Sequence, residues 1–244
     1  MGVTGSGKSS FISLCLEKVV KIGHDLNACT SVVDVYAYDE LPDRTIYLID
    51  TPGFDDTSKS DPEVLSEIAA WMGDSYRSDI LLNGILYLYR IADIRMQGSA
   101  KKNLLMFKEL CGTDSLKTFW SQPFSGEEAV KRGKELTETP QFWGWMLSKG
   151  SSFYRHCNTR QSARDIVNHL ADQNAPPVAT DLQKQLVDER RTLDQTSAGH
   201  ELALELLKEK EKWTKQHDQM EAMMKAAIRQ RDHEMENYLR AERD

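Results

Sequence analysis

The chain has 244 residues, 40% hydrophobic and 28% charged, which is room for one α/β domain with an appendage and an ordinary globular composition. Its 31 Lys and Arg against 38 Asp and Glu leave a net charge of −7, which argues against a nucleic-acid binder driven by phosphate contacts. Cys15, Cys29, Cys111 and Cys157 are scattered without a C-x-x-C pair, so a zinc site or disulfide framework is not expected; with no signal peptide and no bilayer-length apolar run, the expected location is the cytoplasm.

The first element is the most informative. Gly2-Val3-Thr4-Gly5-Ser6-Gly7-Lys8-Ser9 is a complete G-x-x-x-x-G-K-[ST] phosphate-binding loop. Its glycines, Gly2, Gly5 and Gly7, let the backbone wrap a triphosphate and turn several N–H groups inward. Lys8 is placed to reach the β- and γ-phosphates, and the Ser9 hydroxyl to sit on Mg²⁺. Phe11, Ile12, Leu14, Cys15, Leu16, Val19 and Val20 form an apolar stripe that predicts a helix over Ser10–Lys21, its positive end toward the phosphates. The motif belongs after a buried β-strand, and only Met1 precedes it.

A polar stretch from Gly23 to Thr30 leads to two β-branched, aromatic segments, Ser31–Tyr38 and Arg44–Asp50, joined by the turn residues Asp39–Asp43. They predict a hairpin. A helix follows over Glu63–Trp71, with Tyr76 as its outer limit. Leu82–Ile91 is nearly continuous apolar, as a central parallel strand is. After helix Ser99–Leu110 the α/β alternation demands another buried strand, but Leu116–Trp120 is short and mixed. Then come helix Gly126–Glu138, an aromatic helix over Pro140–Met146 packed on the core, a short strand Ser152–His156 and a closing helix Ser162–Leu170.

Pro176-Pro177 ends the expected globular part, giving a domain over 1–175 and a helical tail over 178–244. From Asp181 the composition predicts a long helix in two pieces, broken near Ser197–Gly199. Leu206, Trp213, Met220 and Ala227 recur every seven residues, and Ala203 and Met224 supply part of the companion row, but Lys210, His217 and Arg231 interrupt it, so the coiled-coil signal is weak. The alternative is a solvated helix that lies on the domain or is ordered by a partner.

Three elements must converge on a Mg-triphosphate. The loop is one. Asp50 closes a hydrophobic strand about forty residues downstream and opens a D-x-x-G pattern with Gly53. Its carboxylate is suited to Mg²⁺ through water, and the Gly53 N–H to sensing the γ-phosphate. The third is a hydroxyl from the segment His24–Thr30. Thr30 is the candidate, with Ser31 and Thr45 as competitors and Thr45 disfavoured inside a strand.

Gly-Val-Thr-Gly-Ser-Gly-Lys-Ser-Ser, then Ala28-Cys29-Thr30, then Ile49-Asp50-Thr51-Pro52-Gly53-Phe54-Asp55-Asp56-Thr57, resemble the septin-related G domains that include the AIG/GIMAP proteins and the Toc receptors. Asn83–Asp93 and Arg155–Arg160 add to the likeness, which spans about residues 1–172 and is nearest to the fungal "G domain-containing" proteins. The resemblance implies an α/β P-loop NTPase fold, a mostly parallel sheet with one antiparallel hairpin strand. It implies GTP and GDP binding by Gly5, Ser6, Gly7, Lys8, Ser9 and Ser10, Mg²⁺ on Ser9 and Thr30 with Asp50 behind them, and G-domain homodimers beside any formed by the tail.

There are departures. Phe54 stands where Ras-like enzymes carry a water-orienting glutamine, so unaided hydrolysis should be slow. The strand before the loop is missing, removing about five apolar side chains worth about 1.5–3 kcal/mol each. The strand carrying the guanine-reading [NT]-K-x-D motif also looks deleted near Leu116–Gln122; only Asn158 is left as a weak base contact. Three readings follow: a guanine-nucleotide switch, a degenerate G domain acting as a scaffold through its tail, and an ATPase.

Overall fold

The structure, a computed structural model, describes residues 1–16, 21–22, 33–41, 44–56, 59–89, 98–112, 118–121, 127–172 and 176–241. The elements in chain order are α1 (Lys8–Cys15), β1 (Lys21–Ile22), β2 (Asp34–Leu41), β3 (Arg44–Asp50), α2 (Asp61–Arg77), β4 (Ile85–Leu88), α3 (Gly98–Cys111), β5 (Thr118–Ser121), α4 (Glu127–Glu138), α5 (Trp145–Ser148), β6 (Ser152–Phe153), α6 (Arg160–Asp172), α7 (Asp181–Val187) and α8 (Ser197–Ala241). The chain forms two compact units, Met1–Leu202 and Ala203–Asp244.

The first unit holds two three-stranded sheets. β1, β2 and β3 are antiparallel in that order; the expected hairpin is β2–β3, with Asp34 opposite Asp50 and Tyr36 opposite Leu48. β4, β5 and β6 are parallel in that order. The expected mostly parallel sheet is therefore corrected to an antiparallel half and a parallel half.

The N-terminal residues lie between the halves. Met1 pairs alongside β4, its amino nitrogen donating to Leu86 O at 2.6 Å and its carbonyl accepting from Leu88 N at 2.9 Å. Val3 forms a parallel bridge with Phe54, just beyond β3. Residues 1–3 thus fill part of the slot expected for the strand before the loop.

The base-side strand needs correction too. Thr118–Ser121 does form β5, its backbone registered against Ile85–Leu88 on one side and Ser152–Phe153 on the other. Short and mixed in composition, it becomes a strand because both neighbours offer it a ladder.

β4 shows why its sequence is continuously apolar. Ile85 and Tyr87 face a large core with α2, α3, Leu136, Trp143 and Met146. Leu86 and Leu88 face a smaller one, with Phe11, Ile12 and Cys15 of α1 and Ala163, Ile166 and Val167 of α6. Both faces are covered, as a central parallel strand requires. The aromatic segment is core, as expected: Trp143 is fully buried, edge-on to Tyr89 at 5.2 Å. The helix expected over Ser10–Lys21 ends at Cys15, because Lys21–Ile22 pairs with β2 instead.

The largest revision is at Pro176-Pro177, which does not end the globular part. Val178 bridges Leu82, and α7 packs across α2 and α3. Thr180 and Gln183 form a capping box, and the Gln183 amide donates to Met72 O of α2 at 3.2 Å. Leu182, Ala198 and Leu202 lie in the large core. The first compact unit therefore extends about 27 residues past the expected boundary. The helix break falls at 188–196 rather than near Ser197–Gly199, and α8 then runs to Ala241. In the second unit Trp213 (71%) and Met220 (69%) of the seven-residue row and Met224 (65%) of the companion row stay exposed, so neither is covered there. Among the described residues no helix is long and apolar enough to cross a membrane.

Candidate phosphate-binding site

The site is built from the loop between Met1 and α1 and from the turn after β3. Backbone conformation makes the loop: Gly2, Gly5 and Gly7 have φ of 140°, 75° and 91°, values that favour glycine. At Gly2 a side chain is excluded twice over, since a Cβ would lie 2.3 Å from Leu88 O. Gly7 caps α1 from the left-handed region without a side-chain hydrogen bond to the helix. The first N–H groups of α1 have no intrahelical acceptor by helix geometry, and no cap competes for them. α2 and α7, by contrast, each carry a capping box. Ser10 lies exposed in the first turn of α1.

Lys8 folds back over the loop, its Nζ donating to Gly2 O at 3.2 Å and Val3 O at 3.1 Å. Burial holds its pKa below the ordinary lysine value, while the Asp50 and Asp56 carboxylates pull the other way. The Ser9 hydroxyl donates to Asp50 Oδ2 at 2.7 Å. The tertiary fold thus joins two of the three residues expected on the metal side, 41 positions apart in the chain. Thr30 and its competitor Ser31 lie outside the described residues; Thr45 is exposed on β3.

Gly53 sits against the loop. A Cβ there would fall 2.5 Å from Thr4 Oγ1 and 2.7 Å from Lys8 Nζ, so only glycine permits this approach. Phe54, next in the chain, is fully buried in the large core. It offers no group to a water molecule, and its burial fixes where the turn leaves the sheet. Sequence reasoning missed the turn's other anchor. Asp61, at the start of α2, accepts from Asp55 N at 2.8 Å and pairs with Lys102 of α3 at 2.6 Å, both side chains less than a tenth exposed. Both residues are polar and unremarkable in the sequence, and no motif marks them.

The residues suit a bound phosphate chain and a divalent cation. Ser6 Oγ and Thr51 Oγ1 are buried and, among the described residues, have no hydrogen-bond partner. The α1 N-terminus is uncapped, and a hydroxyl–carboxylate pair of hard oxygen donors stands beside it, as Mg²⁺ prefers. The base side is sparser. β5 ends at Ser121, and the following Gln122-Pro123-Phe124-Ser125-Gly126 lacks a carboxylate. Asn158, with φ of 54°, is exposed in the turn between β6 and α6. That turn is held by His156, whose Nδ1 is 2.9 Å from Ser162 Oγ and whose ring meets Phe11 of α1 edge-on at 5.2 Å.

A phosphate loop entering α1, a carboxylate-ended strand with D-x-x-G, and a parallel half-sheet flanked by helices define the P-loop G-domain fold. Comparison with known proteins agrees. The sequence profile of the family described as "50S ribosome-binding GTPase" matches residues 1–109. Among solved structures, the chain resembles Toc33 from Arabidopsis thaliana in complex with GDP and Mg²⁺, at 16% identity and a TM-score of 0.53, over 73% of this chain and 85% of that one. It also resembles Toc33 in complex with Mg²⁺ and GMPPNP, at 18% identity and a TM-score of 0.51, over 71% and 83%. No curated protein sequence matches it.

Proposed function

We propose that this chain is a guanine-nucleotide-binding switch of the septin-related/AIG type, binding Mg-GTP and GDP and hydrolysing GTP slowly. The observation that carries the reading is the Ser9–Asp50 hydrogen bond at 2.7 Å beside an uncapped helix N-terminus. Gly2, Gly5, Ser6, Gly7 and Ser10 shape the cradle, and Lys8 turns from its loop carbonyls toward the β- and γ-phosphates. Ser9 and Asp50 hold the cation, with Thr30 as the proposed further hydroxyl, and the Gly53 N–H faces the γ-phosphate. When bound, Mg²⁺ neutralises charge that develops on the phosphates. Slow hydrolysis follows from Phe54, whose ring is committed to the core. Placement nearest the fungal relatives rests on Asn83–Asp93 and Arg155–Arg160.

Calorimetry with GTP and GDP, on this chain and on Lys8→Ala, tests the proposal. Mg²⁺-dependent binding by the wild type, weakened about 100-fold by losing the charge-assisted contacts of Lys8, is expected. Equal heats for both proteins would remove the phosphate loop from the mechanism.

A second reading is favoured by the exposed seam residues Trp213, Met220 and Met224. Here the G domain is a scaffold, and the tail binds a partner or a second copy through that row. Absence of any Mg²⁺-dependent nucleotide binding in the same titration would leave this reading standing.

A further inference from the structure

A water that attacks a terminal phosphate needs a group to orient it and to take its proton. Phe54 cannot be that group, because its ring is buried in the core. Two residues further on, a carboxylate reaches the phosphate loop instead. Asp56 Oδ2 accepts from the Thr4 hydroxyl at 2.8 Å, across 52 positions of chain.

The Thr4 hydroxyl stands beside the two groups assigned to the terminal phosphate. A Cβ on Gly53 would lie 2.5 Å from Thr4 Oγ1 and 2.7 Å from Lys8 Nζ, so the hydroxyl, the ammonium and the Gly53 backbone surround one spot. The charge of Asp56 is felt there too: burial lowers the Lys8 pKa, and the Asp50 and Asp56 carboxylates raise it. The neighbouring acids are committed elsewhere. Asp50 accepts from Ser9, and Asp61 pairs with Lys102. Asp55 is the bend itself, with a left-handed φ of 59° and its N–H on Asp61 Oδ1 at 2.8 Å, and this bend returns Asp56 to the loop.

We propose that Asp56 is a catalytic residue for GTP hydrolysis, accepting a hydrogen bond from the attacking water, and that Thr4 is the positioning residue that aims its carboxylate. This rests on the reading above that the chain binds and slowly hydrolyses GTP. The water oxygen bonds to the γ-phosphorus as the bond from that phosphorus to the β–γ bridging oxygen breaks, and the electron pair of the broken bond leaves on GDP. One water proton passes to Asp56 and from there to an oxygen of the released phosphate, so the carboxylate ends as it began. A carboxylate offers about four lone-pair sites, enough for the Thr4 hydroxyl and a water together. Their contact lies at the exposed lip of the loop, within reach of solvent. A negative charge beside a triphosphate does not help the ground state bind. Asp56 therefore acts on rate and not on affinity.

The test uses the full chain with Mg²⁺, in single-turnover GTP hydrolysis and in binding of GMPPNP and of GDP with aluminium fluoride, a mimic of the phosphoryl group in transfer. Asp56→Ala should hydrolyse about 100-fold more slowly, the lower end for a positioned proton acceptor. Its GMPPNP Kd should stay within about threefold of the wild type, while the affinity that aluminium fluoride adds to GDP should fall with the rate. Thr4→Val should slow hydrolysis about tenfold, the size of one hydrogen bond to a charged group, and Thr4→Ser should restore it. In the Asp56→Ala background Thr4→Val should add nothing, because its hydroxyl acts through the carboxylate. A wild-type rate in Asp56→Ala, or rate and GMPPNP affinity falling by the same factor, would overturn the catalytic role and leave nucleotide binding intact. Additive losses in the double variant would overturn the role of Thr4. A wild type that binds GMPPNP without hydrolysing GTP would overturn the hydrolysis reading and this assignment with it; one that binds neither nucleotide would overturn the binding reading itself.

Discussion

The two ends of the candidate site are built differently. On the phosphate side, backbone turns at three glycines, Ser9 on Asp50, Thr4 on Asp56 and Asp61 on Lys102 tie the loop to the turn after β3 and to α3. On the base side, a four-residue strand ends without a carboxylate, and Asn158 lies exposed. Phosphate binding needs mostly main-chain N–H groups and one lysine, and a single local stretch supplies them. Reading a base needs side chains carried to one place by the ends of two strands. The fold therefore commits to the triphosphate far more firmly than to the base.

The heaviest way to break that contrast is to loosen the phosphate side's frame. Lys102→Met leaves Asp61 buried and charged without its partner, and urea denaturation should show a loss of about 3–5 kcal/mol. Adding Asp61→Asn should recover part of it; a loss below 1 kcal/mol would mean the pair does not hold the turn. Lys8→Ala comes next, with its loss of about 100-fold in affinity.

The base side sharpens the contrast by how little it should discriminate. With no carboxylate in the sequence Gln122–Gly126 to pair with guanine, GDP should be preferred to ADP by only about tenfold, against the 10⁴ or more of a site built to hydrogen-bond its ligand. A thousandfold preference for GDP would show that other residues read the base.

The smallest effect concerns His156. Burial lowers its pKa below the ordinary 6.5, so the folded chain disfavours the charged ring. Its contribution to stability is complete above pH 6.5 and is lost as pH falls through the lowered value. Denaturation midpoints measured at several pH values should drop less on acidification in His156→Phe than in the wild type.

The sequence alone determined the phosphate loop, the Asp50–Gly53 pattern, the β2–β3 hairpin and the doubly covered strand β4. Each is written in a local pattern of glycine torsion, alternation or apolar continuity, and such patterns need no distant partner. It did not disclose β5, because four mixed residues become a strand only between two waiting neighbours. Nor did it disclose that 178–202 belongs to the globular unit, because that polar segment reaches the large core through a few scattered apolar side chains, Leu182, Ala198 and Leu202, with Leu186 and Leu193 beside them. Thr4–Asp56 and Asp61–Lys102 were equally hidden. Their partners lie 52 and 41 residues apart, and a hydroxyl or lysine shows its role only once the chain has folded a carboxylate against it.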